Sequence, residues 1–290
     1  MRVVHLTDIH VQSRPHLSDL TPKRVLGTVN LYVLGRRTKF SRVAQRAAIA
    51  ATVEANPDVV VFTGDLTAQA LESEFEDARE MFEPVLSRFP TVMIPGNHDT
   101  YVREPHVGDA MRRLFGKWMG SELPALHRFG DVAFLAVETC RPHPLSAGYT
   151  DPRQLVRARE LLESIEGAPF VFLTIHYPLC DRRGEKYGPA TRALANAEDL
   201  QRFVRSTDRI HAVIHGHEHH GFRTTLPNQA GPIPVLNPGV SGYAFIPEHD
   251  RTAHLNVYEV DASGIHDVRR LRFDGTRFHP EPGGAYATGR

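Results

Sequence analysis

Residues 59–65, Val59-Val60-Val61-Phe62-Thr63-Gly64-Asp65, form a short apolar run that stops abruptly at a glycine and a carboxylate. An unbroken run of β-branched and aromatic residues is typical of a strand buried on both faces, as in an α/β protein. Glycine permits a sharp turn, so Asp65 is expected just past the carboxyl end of this strand. Ligands of open α/β sheets bind at such strand ends.

The same unit recurs four more times along the chain. Each further run is apolar and ends at polar residues that can bind a metal, and strand ends of this kind are where α/β proteins build their sites. The four runs are residues 3–7 before Asp8 and His10, 91–94 before Asn97, 170–175 before His176, and 212–214 before His217 and His219.

Helical patterns lie between several of these strands. Residues 41–55 begin at Ser41, a favourable N-cap. Residues 70–88 and 152–166 place apolar side chains three or four positions apart, which predicts one buried helix face. Strands that alternate with helices predict an α/β fold.

The last third of the chain follows another pattern. Residues 254–260 and 267–273 alternate in polarity on either side of Ser263-Gly264, which predicts an antiparallel hairpin and therefore a mixed sheet. We expect one domain over residues 1–273. Residues 274–290 are rich in glycine and proline and are predicted to form a loose tail.

Residues 13–40 resemble an insertion between the first strand and the first clear helix. Their apolar positions lie between Lys23-Arg24 and Arg36-Arg37, and this stretch of about ten residues is too short to span a bilayer. A helix docked on the core is the favoured interpretation. A cap over the active site, a dimer contact or a membrane-surface patch at residues 23–37 are the alternatives.

Composition limits the classes of function. The 290 residues carry a formal net charge of zero, so a long nucleic acid is not an expected partner. The two cysteines, Cys140 and Cys180, cannot build a disulfide framework and fit a reducing compartment. With no signal peptide and no transmembrane run in the sequence, we expect a cytoplasmic protein.

The seven polar side chains at the strand ends fit a metal centre. Asp8 and His10 are two residues apart; in extended backbone both would point the same way and reach one ion, and His217 and His219 repeat this spacing. Carboxylate, amide and imidazole ligands suit Mn, Fe, Zn, Ni or Co, and we favour Mn, Fe or Zn. The set contains no thiolate, which argues against a structural zinc site.

Seven ligands are too many for one such ion and suit two ions that share the carboxylate of Asp65. Two ions about 3.5–4 Å apart serve in-line displacement at phosphorus. Two divalent ions and two carboxylates leave a charge of about +2, which favours a phosphate ester and a metal-bound hydroxide as the nucleophile.

The motifs also show a family resemblance. Asp8-x-His10, Gly64-Asp65, Gly96-Asn97-His98-Asp99, His176 and Gly216-His217-x-His219 occur in the order of the calcineurin-like metallophosphoesterase family, over about residues 1–240. The resemblance implies a four-layer αββα sandwich of two mixed β-sheets flanked by helices. It assigns the first ion to Asp8, His10, Asp65 and His219, and the second to Asp65, Asn97, His176 and His217.

The resemblance gives His98 a catalytic role, and the neighbouring Asp99 is predicted to support it. His98 would contact the phosphoryl oxygens or protonate the leaving group, and Asp99 is expected to orient its imidazole. The sequence around Gly64-Asp65-Leu66-Thr67 and Gly96-Asn97-His98-Asp99 looks most like the bacterial branch that includes class III cyclic nucleotide phosphodiesterases. Further side chains near the motifs could contact substrate: Tyr101, Arg103, Tyr177 and Arg182.

Three hypotheses for the function follow. The first is a dinuclear phosphodiesterase acting on small phosphodiesters, with 3′,5′-cyclic nucleotides as candidate substrates. The second is a phosphomonoesterase or nucleotidase. The third is a scaffold that retains the fold without catalysis, and the complete ligand set together with His98 counts against it.

Overall fold

The computed structural model describes residues 1–33, 35–102, 105–143 and 145–287. The helices are α1 (Pro22–Tyr32), α2 (Arg42–Ala55), α3 (Glu72–Leu86), α4 (Pro105–Met119), α5 (Pro152–Glu163) and α6 (Ala197–Arg205). The strands are β1 (Arg2–Leu6), β2 (Val59–Phe62), β3 (Thr91–Met93), β4 (Ala125–Phe129), β5 (Val132–Ala136), β6 (Phe170–Thr174), β7 (Ala212–Ile214), β8 (Phe222–Asn228), β9 (Gly231–Asn237), β10 (His254–Asp261), β11 (Gly264–Phe273) and β12 (Phe278–Pro280).

The strands form two mixed sheets. The first has the order β12-β11-β10-β1-β2-β3, in which β1, β2 and β3 are parallel and β10 to β12 are antiparallel. The second has the order β4-β5-β6-β7-β9-β8, in which β5, β6, β7 and β9 are parallel. The strands that end at the polar motifs are therefore adjacent and parallel within each sheet.

Alternating side chains of the buried strands divide between two cores. Val3 and Val61 point into the layer between the sheets, whereas Val4 and Val60 point to the helices on the outer side. Between the sheets, Phe172 of β6 stacks on Phe134 at a centroid distance of 5.2 Å and meets Tyr258 of the other sheet at 5.9 Å. Helices α2 to α4 cover the first sheet, and α5 and α6 cover the second. The four-layer αββα arrangement is confirmed.

Residues 13–40 contain helix α1, which docks on the core. Its first turn begins after Thr21, whose hydroxyl accepts a hydrogen bond from the amide of Arg24. The buried guanidinium of Arg24 donates to the carbonyls of Gln69 and Ala70, and Leu31 is also buried. The opposite face leaves Leu26 largely exposed. A dimer contact or membrane-surface patch at residues 23–37 stays a prediction, and Leu34 lies outside the described residues.

The prediction of a loose C-terminal tail is wrong for residues 278–286. Strand β12 pairs with β11, and the carboxylate of Glu281 accepts a 2.8 Å hydrogen bond from the buried guanidinium of Arg270. The hydroxyl of Tyr286 accepts a hydrogen bond from Asn256. The glycine and proline content of this segment predicted a loose conformation. The segment is ordered because the buried charge of Arg270 is paired with Glu281. Residues 288–290 lie outside the described residues.

Within the described part of the chain, no helix combines the length and apolar character needed to cross a membrane.

Replacing Glu281 by Ala should lower the free energy of unfolding by about 3 kcal/mol, because a buried guanidinium loses its carboxylate partner. Urea unfolding at a fixed metal concentration measures the change. The matched control is Glu122→Ala, which breaks an exposed ion pair with Arg157 and should cost less than about 1 kcal/mol. Equal losses in the two variants would contradict a stabilising role for the buried pair.

Candidate metal centre

The two sheets bring their polar strand ends to one edge of the sandwich. Asp8 and His10 follow β1, Asp65 follows β2 and Asn97 follows β3 of the first sheet, while the second sheet supplies three imidazoles after β6 and β7. All seven side chains predicted as ligands are brought together there. Six are buried, and His219 is partly exposed. The seven are Asp8, His10, Asp65, Asn97, His176, His217 and His219.

Three of these side chains form a first triad. The ligand atoms of Asp8, His10 and His219 all lie within 4.8 Å of one another. The Oδ1 atom of Asp8 lies 3.6 Å from Nε2 of His10 and 3.4 Å from Nε2 of His219. The other carboxylate oxygen, Oδ2, accepts hydrogen bonds from the hydroxyl of Thr7 and the amide of His217. Protein donors thus fix one oxygen, and the other faces the two imidazoles.

A second triad lies next to the first. The ligand atoms of Asp65, His176 and His217 also lie within 4.8 Å of one another. The side-chain oxygen of Asn97 joins them, at 3.1 Å from Nε2 of His176 and 2.8 Å from Nδ1 of His217.

Asp65 connects the two triads through its two carboxylate oxygens. Oδ2 lies 3.6 Å from Nε2 of His10, and Oδ1 lies 3.5 Å from Nε2 of His176. Oδ1 also accepts a 2.7 Å hydrogen bond from the amide of His98. One carboxylate therefore faces both clusters, as a ligand shared by two ions would.

The backbone of the motifs is not extended. The prediction that residues i and i+2 reach one ion because they lie in extended backbone is therefore wrong. Asp8, His10, Asp65 and His217 adopt positive φ angles of 53°, 52°, 58° and 65°. Side chains other than glycine, asparagine and aspartate seldom adopt this left-handed region, and such strain is common at functional sites. Sharp turns, rather than continued strand geometry, aim these side chains at the centre.

Two glycines allow the loops to approach closely. A Cβ atom on Gly96 would collide with the backbone nitrogen and carboxylate of Asp65, and one on Gly216 would collide with the hydroxyl of Thr7 and the carboxylate of Asp8. Any larger residue at either position would push apart the loops that carry the triads.

Backbone carbonyls fix the tautomers of two imidazoles. Nδ1 of His176 donates to the carbonyl of Thr63 at 2.7 Å, and Nε2 of His217 donates to the carbonyl of Arg192 at 2.9 Å. Burial lowers the pKa of His176, and burial together with His176 lowers the pKa of His217 well below 6.5. Each neutral ring donates its single N–H to a carbonyl. Its other nitrogen therefore carries a lone pair and faces the oxygen of Asn97.

His219 is held by a residue that the sequence interpretation missed. Its Nδ1 lies 2.6 Å from the hydroxyl of Tyr243, while Nε2 faces Asp8. Tyr243 also packs on Phe40 at a centroid distance of 5.1 Å. It follows the Asn237-Pro238-Gly239 turn, but no spacing in the sequence connects it to a histidine 24 residues earlier.

His98 lies beside the first triad and under α1. A ring nitrogen of His98 lies within 4.8 Å of ligand atoms of His10 and Asp65. Its Nδ1 contacts the carbonyl of Ala68 at 2.6 Å, and its ring stacks on Tyr101 at 5.5 Å. The ammonium of Lys23 in α1 lies over the Tyr101 ring and donates to the Tyr101 carbonyl.

Asp99 does not orient the imidazole of His98 as expected. Its carboxylate accepts hydrogen bonds from the amides of Gly96, Leu66 and Thr67, and from the hydroxyl of Thr67. Asp99 therefore ties the loop after β3 to the loop after β2. The short side chain turns back onto local backbone donors, as aspartate often does in loops.

The other proposed substrate contacts have different surroundings. Tyr177 is buried, and its ring centroid lies 4.2 Å from that of His217. Its hydroxyl donates to the carbonyl of Ser146, so Tyr177 supports His217 by packing. Arg182 is exposed and lines a cavity next to His219. Arg103 lies outside the described residues.

The oxygen and nitrogen atoms of the predicted ligands suit two metal cations. Asp8 Oδ1 is fully buried and accepts no hydrogen bond, although an unsatisfied buried carboxylate oxygen is costly. Burial opposes its ionisation, but His10 and His219 outweigh burial and hold the pKa of the Asp8 carboxyl well below its usual range. A buried carboxylate oxygen that has two imidazole nitrogens at 3.4–3.6 Å, beyond ordinary hydrogen-bond length, is in an arrangement that a metal ion would satisfy.

Comparisons with known proteins agree with this geometry. The family model of the calcineurin-like phosphoesterases matches residues 1–221. A curated protein of Vesicomyosocius okutanii subsp. Calyptogena okutanii (strain HA), named a probable cyclic nucleotide phosphodiesterase, is 23% identical over 191 residues, which is 66% of this chain and 73% of that protein.

Solved structures share the fold. The purple acid phosphatase PPD1 from yellow lupin (Lupinus luteus) seeds superposes with a TM-score of 0.66 at 16% identity, over 96% of this chain. This chain spans about half of the lupin enzyme, 52% of its length. A dimetal phosphatase from Danio rerio superposes with a TM-score of 0.60 at 14% identity, over 97% of this chain and 98% of that one.

The family match covers most of the chain and includes every residue of both triads. The chain belongs to the calcineurin-like phosphoesterase family, whose members are hydrolases that depend on a dinuclear metal centre.

Proposed function

We propose that this protein is a phosphodiesterase that hydrolyses small phosphodiesters with the help of two divalent metal ions. Mn, Fe and Zn are the ions that suit its carboxylate, amide and imidazole donors best. The V. okutanii relative, named a probable cyclic nucleotide phosphodiesterase, makes 3′,5′-cyclic nucleotides the first substrates to test.

The position of Asp65 carries the proposal. Its two carboxylate oxygens face imidazoles of different triads, His10 on one side and His176 on the other. Asp8 and His219 complete one ligand set, and Asn97 and His217 complete the second. A single ion would leave one of the two triads without a function.

The metal centre suits displacement at phosphorus. When bound, two divalent ions supply positive charge to the phosphoryl group and lower the pKa of a coordinated water. The protein's part is to hold the ligands rigid, which it does through the tautomer-fixing carbonyls of Thr63 and Arg192 and through the loop contacts of Asp99.

His98 is proposed as the residue that contacts the substrate's phosphoryl or leaving-group oxygen. Its amide bonds to Asp65, and its Nδ1 donates to the Ala68 carbonyl, so the ring cannot swing away without losing a hydrogen bond. With Nδ1 already a donor, Nε2 can also donate only when the ring is cationic. A cationic imidazole beside a phosphate both neutralises charge and can release a proton to the leaving group.

A substrate panel tests the function. The protein loaded with Mn²⁺ should cleave bis-p-nitrophenyl phosphate and 3′,5′-cyclic nucleotides with a higher kcat/KM than p-nitrophenyl phosphate, and a chelator should abolish turnover. A preference for the monoester would favour the phosphomonoesterase alternative. Failure to cleave any of them with Mn²⁺, Fe²⁺ or Zn²⁺ would favour a scaffold.

Two substitutions separate metal binding from chemistry. Asp65→Ala should lower the metal content below two ions per chain because both ligand sets lose an oxygen. His98→Ala should keep the metal content and lower kcat by about 100-fold or more. Elemental analysis and steady-state kinetics measure both effects.

The matched control for these substitutions is His266→Ala, which removes an exposed imidazole near the turn that joins β10 and β11. It should change neither property. Loss of metal from the His98 variant would make His98 a ligand, and full metal content in the Asp65 variant would refute the shared carboxylate.

Tyr243→Phe should weaken the binding of one ion by about 10–100-fold, because the hydroxyl that positions His219 is lost while the ring packing remains. Calorimetric titration of the metal-free protein measures the dissociation constants. Tyr149→Phe, whose ring contacts Arg141 outside the centre, is the control. Unchanged affinity in the Tyr243 variant would show that His219 needs no positioning.

A further inference from the structure

A cavity of about 500 Å³ opens directly beside the first triad. His219 and Tyr243 form the wall that it shares with the metal centre, and the side chain of His219 is 17% exposed. The remaining walls come from parts of the chain far apart in sequence, including the loop after β6 and the β10–β11 hairpin. This volume lies within the range of small-molecule sites and exceeds what one phosphate group fills.

The walls of this cavity are strongly cationic. We call it the cationic basin, defined by five side chains, and Asp250 is the only carboxylate that lines it among the described residues. Arg272 pairs with Asp250 at 3.5 Å, and Arg270 pairs with Glu281 at 2.8 Å, so the lining itself holds five cationic side chains and one carboxylate. The five cations are Lys39, Arg182, Arg251, Arg270 and Arg272.

The metal centre does not explain this charge. Metal ions need negatively charged groups nearby, and a centre that would carry a charge of about +2 when loaded would be repelled by further cations. Cationic side chains from separate elements of the chain thus surround one cavity, and a cleft lined by one sign of charge attracts a ligand of the opposite sign. The fold nevertheless directs Arg251 into the basin, with its guanidinium 5.6 Å from the centroid of the Tyr243 ring.

The geometry connects the basin to the reacting position. Nε2 of His219 faces Asp8 in the first triad, whereas Tyr243, which contacts its Nδ1, faces the basin. One molecule can therefore place an ester at the metal centre and reach past His219 into the basin. Guanidinium groups match phosphate oxygens in geometry as well as in charge.

We propose that the cationic basin binds a second phosphate group of the substrate, so that the preferred substrates are phosphodiesters that carry an additional phosphomonoester. The inference rests on the proposed function and deepens it, because it names the feature that distinguishes good from poor diesters. Free phosphate has the same chemistry, and competition with inorganic phosphate distinguishes an independent anion from a tethered one.

Two matched substrates test the proposal by turnover. Thymidine 5′-(p-nitrophenyl phosphate) carries one anionic group, and its 3′-phosphorylated form carries a second; in both, water adds to phosphorus and p-nitrophenolate leaves. With the Mn²⁺-loaded protein, kcat/KM should be about 10-fold or more higher for the 3′-phosphorylated form. Inorganic phosphate should reduce this preference only at concentrations far above those of the substrate.

Variants of the basin should reduce the preference. Arg251→Gln and Arg182→Gln should each lower the ratio of the two kcat/KM values by about 5-fold or more, because a charged hydrogen-bond donor to phosphate is lost. Arg183→Gln, which removes the exposed neighbour of Arg182 from outside the basin, should leave the ratio as in the wild type. Equal kcat/KM values in the wild type, or an unchanged ratio in both basin variants, would overturn the proposal.

A binding measurement separates this inference from the proposed function. Thymidine 3′,5′-bisphosphate should bind the Mn²⁺-loaded protein more tightly than thymidine 5′-monophosphate, and both basin variants should remove the difference. If neither ester is hydrolysed but this binding pattern is observed, the proposed function fails and the basin assignment stands. If esters are hydrolysed without any effect of the second phosphate on turnover or binding, the basin assignment fails alone.

Discussion

The packing of one sheet on the other is the contact on which the metal centre depends. Neither sheet supplies all the side chains of the first triad or of the second. Asp8 and His10 follow a strand of the first sheet, and their partner His219 follows a strand of the second. Asp65 is likewise separated by the sheet interface from His176 and His217. The apolar layer between the sheets, which includes Phe172 and Tyr258, thus sets the distances between ligands.

This arrangement explains why the tight turns matter as much as the strands. Strand ends in two packed sheets lie about 10 Å apart, so side chains must turn inward to share an ion. The left-handed conformations of Asp8, His10 and Asp65 provide that inward turn, and Gly96 and Gly216 let the loops close upon it. Strain at these positions is tolerated because the buried strands before them are held on both faces.

The sequence predicts much of this architecture, because buried parallel strands and amphipathic helices leave clear patterns. The strand runs before the motifs and helices α2, α3 and α5 were recognisable. Helix α4 was not, since Gly108 and Gly116 interrupt its pattern, and Pro227, Pro232 and Pro234 obscured β8 and β9.

The candidate site could be predicted as a set of residues but not as a geometry. The spacing of Asp8 and His10 suggested extended backbone, whereas their φ angles are positive. Asp99 braces two loops rather than an imidazole, and Tyr243 contacts His219 through tertiary structure alone. Contacts between distant loops leave no local pattern, which is why the sequence could not show them.

The ordered C-terminal segment has a consequence for how the protein could diverge. The matched family region ends at residue 221, before Arg251 and Arg270, and Glu281 holds Arg270 in place from beyond β11. Three of the five basin cations, Arg251, Arg270 and Arg272, therefore lie in a stretch of sequence that contains no residue of either triad. If the basin binds substrate as proposed, substitutions in this stretch can change which esters are accepted without replacing a metal ligand.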